Sequence, residues 1–217
     1  MTLQQTRANM IEQQIRTWEV LDEKILALYE EVWRENFVPD NLRDLAYSDT
    51  ALPIGHGQYM LEPKLEARML QALALHKNES VLHVGTGSGF FAALLGHLAG
   101  QVLSVEIIPD LAAAARVRLA TAGLDNVAVM VDDGACGVER GAPFDAVVLT
   151  GSTPIISPNF GAIIKDGGRL LAVEGEAPVM TLRLVYKRSA DMLLRRDLLE
   201  TCLPPLQNAP HPPSFQF

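Results

Sequence analysis

Apolar positions recur at helical spacing through the first third of the chain and then gather into short continuous runs. Residues 3–17 set Met10, Ile11 and Ile15 among Arg, Glu and Gln, the pattern of a half-buried helix. Asp22 stands where it can cap a second helix, whose Ile25, Leu26, Tyr29, Val32 and Trp33 recur at three and four. Both helices precede the remainder of the fold and are candidates to wall a substrate site or to serve as a packing extension. The stretch 34–58 carries Pro39, Pro53, Gly55 and Gly57 between its apolar residues, a long punctuated loop of the functional kind. Pro63 then starts a helix to about Leu75, with Leu65, Met69 and Leu73 as its buried stripe.

From residue 81 the chain alternates between strand and helix. Val81 to Val84 is a first strand, followed by a glycine-rich turn and an apolar helix. Val102, Leu103 and Val105 form a second strand that ends at Glu106. A helix over 110–122 is built on Leu111, Ala115, Val117 and Leu119, with Gly123 at its C-cap. Strands follow at 126–131, at 146–149 ending on Thr150, and at 169–173. Residues 181–187 alternate, with Leu182, Leu184 and Tyr186 on one face, and 192–194 complete a closing hairpin. The fold class is therefore α/β: a doubly wound, Rossmann-like, mainly parallel seven-stranded sheet with an antiparallel C-terminal hairpin and an N-terminal helical extension. The chain reads as one domain: helices and a loop over 1–62, a sheet core over 63–203, and a tail over 204–217. That tail holds five prolines and no periodicity, as an irregular surface segment would.

Composition narrows the function. With 217 residues and 48% apolar content, one domain with a sizeable core is the expectation. A net charge of −8 argues against a nucleic-acid partner, which calls for a basic footprint. No apolar run reaches the roughly 20 residues of a membrane span, and the N-terminus lacks a signal or transit pattern. Cys136 and Cys202 make no disulfide framework and lack metal-ligand spacing. A cytoplasmic protein with no membrane partner and no metal site is expected.

The chemistry centres on Gly85-Thr86-Gly87-Ser88-Gly89. Glycines after a strand let the backbone turn sharply and approach a ligand, and the following helix N-terminus offers unpaired N–H groups. Glu106 lies twenty-one positions beyond Gly85 at the end of the next strand, where an acid suits a ribose diol. A dinucleotide fingerprint needs its third glycine at position 90, which is Phe90 here. The G-x-G-x-G form instead resembles the first motif of class I methyltransferases, which use S-adenosylmethionine.

Further blocks make the resemblance specific. Phe37-Val38-Pro39, Leu52-Pro53-Ile54-Gly55 with Gly57-Gln58, Pro63, Ala67-Arg68-Met69, Asp133-Gly134 with Gly137, Pro143-Phe144-Asp145-Ala146 and Gly167-Gly168-Arg169-Leu170 keep the order found in the protein-L-isoaspartate O-methyltransferase family. The chain resembles that family over roughly residues 7–186. The resemblance implies S-adenosylmethionine as cofactor and a protein or peptide substrate whose isoaspartyl carboxylate is methylated. It implies a cofactor site of Gly85, Thr86, Gly87, Ser88 and Gly89 under the methionine part, Glu106 on the ribose, Asp133 with Gly134 near the adenine amine, and Thr150 at the fourth strand end. The register between Asp132 and Asp133 is open.

Three segments depart from the family pattern. Tyr59 and Leu61 stand where a Thr-Ile-Ser segment would supply acceptor-holding hydroxyls. His83 replaces an acid that faces the cofactor's methionine end. Thr150-Gly151-Ser152 stands for the more usual Thr-Ala-Ala. Histidine titrates near pH 6.5, so cofactor affinity is expected to fall toward pH 5.5 if His83 faces the methionine ammonium; the alternative is a structural strand-end histidine. A weakened or altered acceptor specificity follows. A small-molecule acceptor suited to Tyr59, Met60 and Leu61, or a non-catalytic interaction protein that binds the cofactor or nothing and acts through protein contacts, stays open beside the repair reading.

Overall fold

The computed structural model describes residues 2–189 and 192–212. Helix α1 (Leu3–Met10) runs on as a π-turn over Ile11–Ile15 and a 3₁₀ turn over Arg16–Trp18, burying Met10, Ile11 and Ile15. Helix α2 (Glu23–Glu31) starts where Asp22 accepts the Lys24 N–H at 2.9 Å. Its stripe of Ile25, Leu26 and Tyr29 is buried with Val32, but Trp33 has left the helix and is half exposed. Neither helix walls the site: they pack into the same apolar cluster as helix α3 (Pro63–Leu73). The loop between them is more ordered than its composition suggests. It makes 3₁₀ turns at Arg34–Asn36 and Asp40–Leu45, then an antiparallel hairpin of β1 (Leu52–Gly55) and β2 (Gln58–Met60). Gly55, His56 and Gly57 all take positive φ at its tip, a backbone shape that short hairpin turns need.

The core then alternates as expected: β3 (Ser80–Val84), α4 (Phe90–Leu98), β4 (Gln101–Glu106), α5 (Pro109–Thr121), β5 (Val127–Val131), β6 (Phe144–Thr153), a single turn α6 (Phe160–Ile163), β7 (Ile164–Glu176), β8 (Val179–Ser189) and β9 (Met192–Glu200). The sheet order is β5-β4-β3-β6-β7-β8-β9, with β3 to β7 mutually parallel and β8 and β9 joined antiparallel. The chain moves outward from β3 in both directions, so the switch point lies at the carboxyl ends of β3, β4 and β6. The central strands are apolar on both faces because helices cover both, as a parallel sheet requires. Helix α5 ends as its sequence indicates: Gly123 takes φ 72° and Leu124 N–H reaches back to the Leu119 carbonyl at 3.1 Å. Val117, however, is 67% exposed, so the buried stripe of α5 is Leu111, Ala112, Ala115 and Leu119. No helix among the described residues is long and apolar enough to cross a membrane.

The tail departs most from expectation. Ser152 N–H donates to the Pro204 carbonyl and Leu206 N–H donates back to Ser152, both at 2.9 Å, so 204–206 form a short rung beside β6. The segment docks because β6 runs past Thr150 to Thr153 and leaves backbone groups for it to satisfy. Residues 213–217 of the expected tail lie outside the described residues.

One ion pair clamps the end of α3 to the sheet. Arg169 on β7 makes two 2.8 Å bonds to the Glu79 carboxylate and also donates to the Leu73 and Ala74 carbonyls. Burial raises the Glu79 carboxyl, but the Arg169 bonds and the His76 N–H outweigh it and hold it below the ordinary carboxylate range. A depressed carboxyl contributes stability above its unfolded pKa and loses it as pH falls through the folded value. Arg169→Met should therefore cost about 3 kcal/mol at neutral pH, since it strands a half-buried carboxylate. Denaturant titrations should show that deficit narrowing below about pH 4.5, as Glu79 protonates.

Candidate cofactor and acceptor cleft

A cleft enclosing about 900 Å³, mouth included, opens at the switch point. Its floor is the glycine turn between β3 and α4. Gly85 and Gly87 take φ 96° and 53°, values that favour glycine. A Cβ on Gly85 would lie 2.7 Å from Thr150 Oγ1, and one on Gly87 3.2 Å from Ile54 of the hairpin. Space excludes a Cβ at Gly85, and at Gly87 the positive φ with the close Ile54 end favours bare backbone. Gly89 differs: it does not line the cleft but begins α4 at φ 89°, close against Ala115.

Glu106 ends β4 one step beyond the parallel register that pairs Val84 with Val105. Its Oε2 accepts the Gly87 N–H at 2.7 Å and its Oε1 the Ile108 N–H at 3.0 Å. The carboxylate is buried, borders the cleft, and retains lone pairs for a ligand. Thr86, Ser88, Gly134 and Thr150 border it too. So do Asp132 and Asp133, but their roles split. Asp133 accepts the Ala135 N–H at 3.0 Å and Asn208 Nδ2 at 2.8 Å, while Asp132 accepts the Asp133 N–H. The Asn208 bond, with Pro204 to Gln207 along the rim, makes the tail part of the cleft wall.

His83 lies beneath this floor rather than in the cleft, fully buried. A line of hydrogen bonds passes through it: Thr86 Oγ1 to Ser104 Oγ at 2.6 Å, Ser104 to His83 Nδ1 at 2.9 Å, and His83 Nε2 to Thr150 Oγ1 at 3.0 Å. Thr150 spends its own proton on the Gly85 carbonyl at 2.8 Å and the Val84 carbonyl at 3.1 Å. Its oxygen must then accept, so His83 carries its proton on Nε2 and accepts from Ser104 at Nδ1. The ring is neutral in this arrangement, and burial pushes its pKa down to about 3. The expected titration near pH 6.5, with affinity falling toward pH 5.5, is therefore corrected: desolvation keeps His83 uncharged across that range, and its ring bridges Ser104 and Thr150 beneath the glycine turn.

The opposite end of the cleft belongs to the hairpin. Ile54, Gln58, Tyr59, Met60 and Leu61 border it. Tyr59 is half exposed at the rim, whereas Leu61 is 7% exposed and presents no polar side-chain atom. Leu61 carries a second feature through its carbonyl, which accepts from Arg34 Nη2. The same guanidinium donates through Nη1 to Glu66 of α3 and lies 5.0 Å from the Phe90 ring centroid. Arg34 is 0% and Glu66 1% exposed, and Glu66 borders the cleft. Burial pushes the Glu66 carboxyl up to about 7 against the opposing pull of Arg34. Sequence reading passed over this pair because Glu66 sits inside the apolar stripe of α3, 32 positions from its partner. A charged residue at a core-facing helical position was the available signal.

A doubly wound sheet with a glycine turn and a strand-end carboxylate at its switch point belongs to the Rossmann-like class of nucleoside-binding folds. Comparison with known proteins narrows this. Residues 5–209 match the model of the protein-L-isoaspartate(D-aspartate) O-methyltransferase family. A protein-L-isoaspartate O-methyltransferase of Methanoculleus marisnigri is 42% identical over 182 residues, 84% of this chain and 83% of that one. One from Anaeromyxobacter dehalogenans is 42% identical over 193 residues, 88% of this chain and 92% of that one. Among solved structures, a protein-L-isoaspartate O-methyltransferase superposes with TM-score 0.79 at 23% identity, over 92% of this chain and 65% of that one. A Plasmodium falciparum protein in complex with S-adenosyl-L-homocysteine does so with the same TM-score at 17% identity, over 95% of this chain and 98% of that one. The chain belongs to the protein-L-isoaspartate(D-aspartate) O-methyltransferase family.

The His83 assignment has a measurable sign. Its folded pKa lies below the unfolded value of 6.5, so the unfolded chain takes up a proton first as pH falls. Stability should drop between about pH 6.5 and 4.5 by roughly 2–3 kcal/mol from this group. Replacement by Gln should remove that share of the acid sensitivity and cost about 1–3 kcal/mol at pH 7, by leaving Ser104 or Thr150 unpaired. Urea melts at the two pH values compare the slopes directly.

Proposed function

We propose that the chain transfers a methyl group from S-adenosylmethionine to the isoaspartyl carboxylate of a damaged protein or peptide, in the cytoplasm. The observation that carries this reading is the single cleft that has the glycine turn and Glu106 at one end and the 58–61 hairpin at the other. The residues present suit the cofactor: two glycines of positive φ with close neighbours at their Cβ positions, a carboxylate with free lone pairs, and apolar Val84, Ile107 and Ala135 beside Asp132 and Asp133. Glu106 would hold the ribose hydroxyls, and the backbone of Gly85 to Gly87 would accept the amino-acid end. The Asp132–Gly134 segment would face the adenine. When bound, the cofactor supplies an electrophilic methyl group on sulfonium. Two exposed free cysteines, Cys136 and Cys202, fit a reducing compartment.

Little proton chemistry falls to the protein. A carboxylate with a reference pKa near 4 is already ionised at pH 7, so methylation needs no general base. What the chain must do is hold the acceptor oxygen in line and keep water out. The hairpin does the second through Ile54, Met60 and Leu61. It does the first poorly at Leu61, which presents no hydroxyl.

Calorimetry with S-adenosylhomocysteine tests the cofactor end. Wild type should bind, and Glu106→Ala should weaken binding at least tenfold, given ~1.5–3 kcal/mol for each bond to a charged acceptor. Absence of binding by wild type at millimolar ligand overturns the reading. Labelled methyl transfer to an isoaspartyl peptide tests the acceptor end, and transfer only to small apolar acceptors would replace the peptide with such a molecule. The paired change Tyr59→Thr, Leu61→Ser should raise peptide kcat/KM roughly ten- to a hundredfold, the equivalent of one added bond of about 1.5–3 kcal/mol.

A further inference from the structure

Leu61 leaves the acceptor end without its hydroxyl, and another group stands close by. Of the side chains at that end, Gln58 turns its amide toward the His56 carbonyl and Tyr59 sits at the rim. Glu66 is the fully buried polar side chain there, on the turn of α3 just beyond Leu61. Arg34 joins the two, donating one nitrogen to the Leu61 carbonyl and another to Glu66 Oε2. Among the described residues no donor reaches Glu66 Oε1, and Glu66 borders the cleft. We propose that Glu66 is the acceptor-holding residue of this enzyme: as a carboxylic acid it donates a hydrogen bond from Oε1 to the isoaspartyl carboxylate, in place of the hydroxyl that Leu61 lacks. The inference rests on the isoaspartyl reading given above.

Charge balance decides the protonation state. Without substrate, Arg34 and an ionised Glu66 form a neutral buried pair. An arriving carboxylate beside an ionised Glu66 would place two negative charges against one positive charge in a desolvated pocket, which is strongly unfavourable. Uptake of one proton by Glu66 restores neutrality, with Arg34 now balanced by the acceptor's own charge. The raised carboxyl, near 7, makes that proton available at cellular pH. Tyr29 of α2 and Arg34 are the other ionisable groups that face Glu66, and burial pushes the Tyr29 hydroxyl well above its ordinary range. Across the cleft, Glu106, Asp132 and Asp133 belong to the cofactor end. The methyl transfer itself stays balanced: the carboxylate oxygen gains the methyl, the sulfonium loses it with its bonding pair, and the Glu66 proton is shared but not consumed.

The pH profile of peptide methylation under kcat/KM conditions reads this directly. Wild-type kcat/KM should be level from about pH 5.5 to 6.5 and fall roughly tenfold between pH 6 and pH 8, as Glu66 loses its proton. Glu66→Gln keeps an acceptor for Arg34 and a permanent donor for the substrate. Its profile should be flat, and it should exceed wild type at pH 8. Because that variant leaves Arg34 without a counter-charge, a second measurement uses wild type alone. Calorimetry of isoaspartyl peptide binding to the S-adenosylhomocysteine complex, in buffers of differing ionisation enthalpy, should show uptake of nearly one proton at pH 8 and almost none at pH 5.5. A flat wild-type profile, an unchanged slope in Glu66→Gln, or binding without proton uptake at pH 8 overturns the role of Glu66 and leaves the enzyme reading standing. Peptide that is neither bound nor methylated at any pH overturns the isoaspartyl reading and this inference with it.

Discussion

The glycine turn is the part of the molecule on which the rest depends, and its three glycines have no side chains with which to fix it. Thr86 and Ser88 contribute their hydroxyls, and the remaining restraint comes from outside. Glu106 holds the Gly87 N–H from one side, and Thr150 holds the Gly85 carbonyl from the other. Between them the Thr86–Ser104–His83–Thr150 line fills the space below, with every donor matched to one acceptor. Parallel register makes this possible: His83 lies opposite Ser104, and β6 brings Thr150 beyond Leu149, the partner of Val84. A neutral histidine at this position braces the turn without adding charge beneath it. Such fully satisfied buried networks rigidify a site, whereas a partly satisfied one would weaken it.

Arg34 does for the acceptor end what Glu106 does for the cofactor end. One guanidinium ties the hairpin at Leu61 to α3 at Glu66 and packs on Phe90, the first residue of α4. The N-terminal helices reach this end of the cleft from two sides: Tyr29 of α2 donates to the Pro63 carbonyl at 3.4 Å and lies edge-on to Phe90. Arg7 of α1 bonds to the Tyr47 hydroxyl at 2.9 Å and pairs with Glu35 at 3.3 Å, and Tyr47 in turn donates to Glu35. The extension lines no part of the cleft, and its bonds to Glu35 anchor the residue next to Arg34.

Local patterns made the sheet and the cofactor end legible, because strand runs, a glycine turn and a strand-end acid each declare themselves within a few residues. Trp33 and Val117 misled because helical spacing marks a stripe but not how far a neighbouring element covers it; both sit where that cover stops. His83 was readable as a position but not as a charge state, which depends on Ser104 and Thr150 arriving from two other strands. The docking of Pro204 to Leu206 escaped notice because it needs β6 to extend past Thr150, and nothing in the tail's own sequence says so. Glu66 was hidden for the converse reason: its partner Arg34 is distant in sequence, and the helix pattern around it is apolar.

The central proposal joins a cofactor frame of the glycine turn and Glu106 to an acceptor end held by Arg34 and Glu66. A crystal structure with S-adenosylhomocysteine and an isoaspartyl peptide, grown near pH 6, tests that claim most directly. It should show the ribose hydroxyls on Glu106 and the peptide carboxylate within hydrogen-bond distance of Glu66 Oε1, with Leu61 supplying only its carbonyl to Arg34. A ribose held elsewhere, or a carboxylate bound at the hairpin away from Glu66, would contradict it.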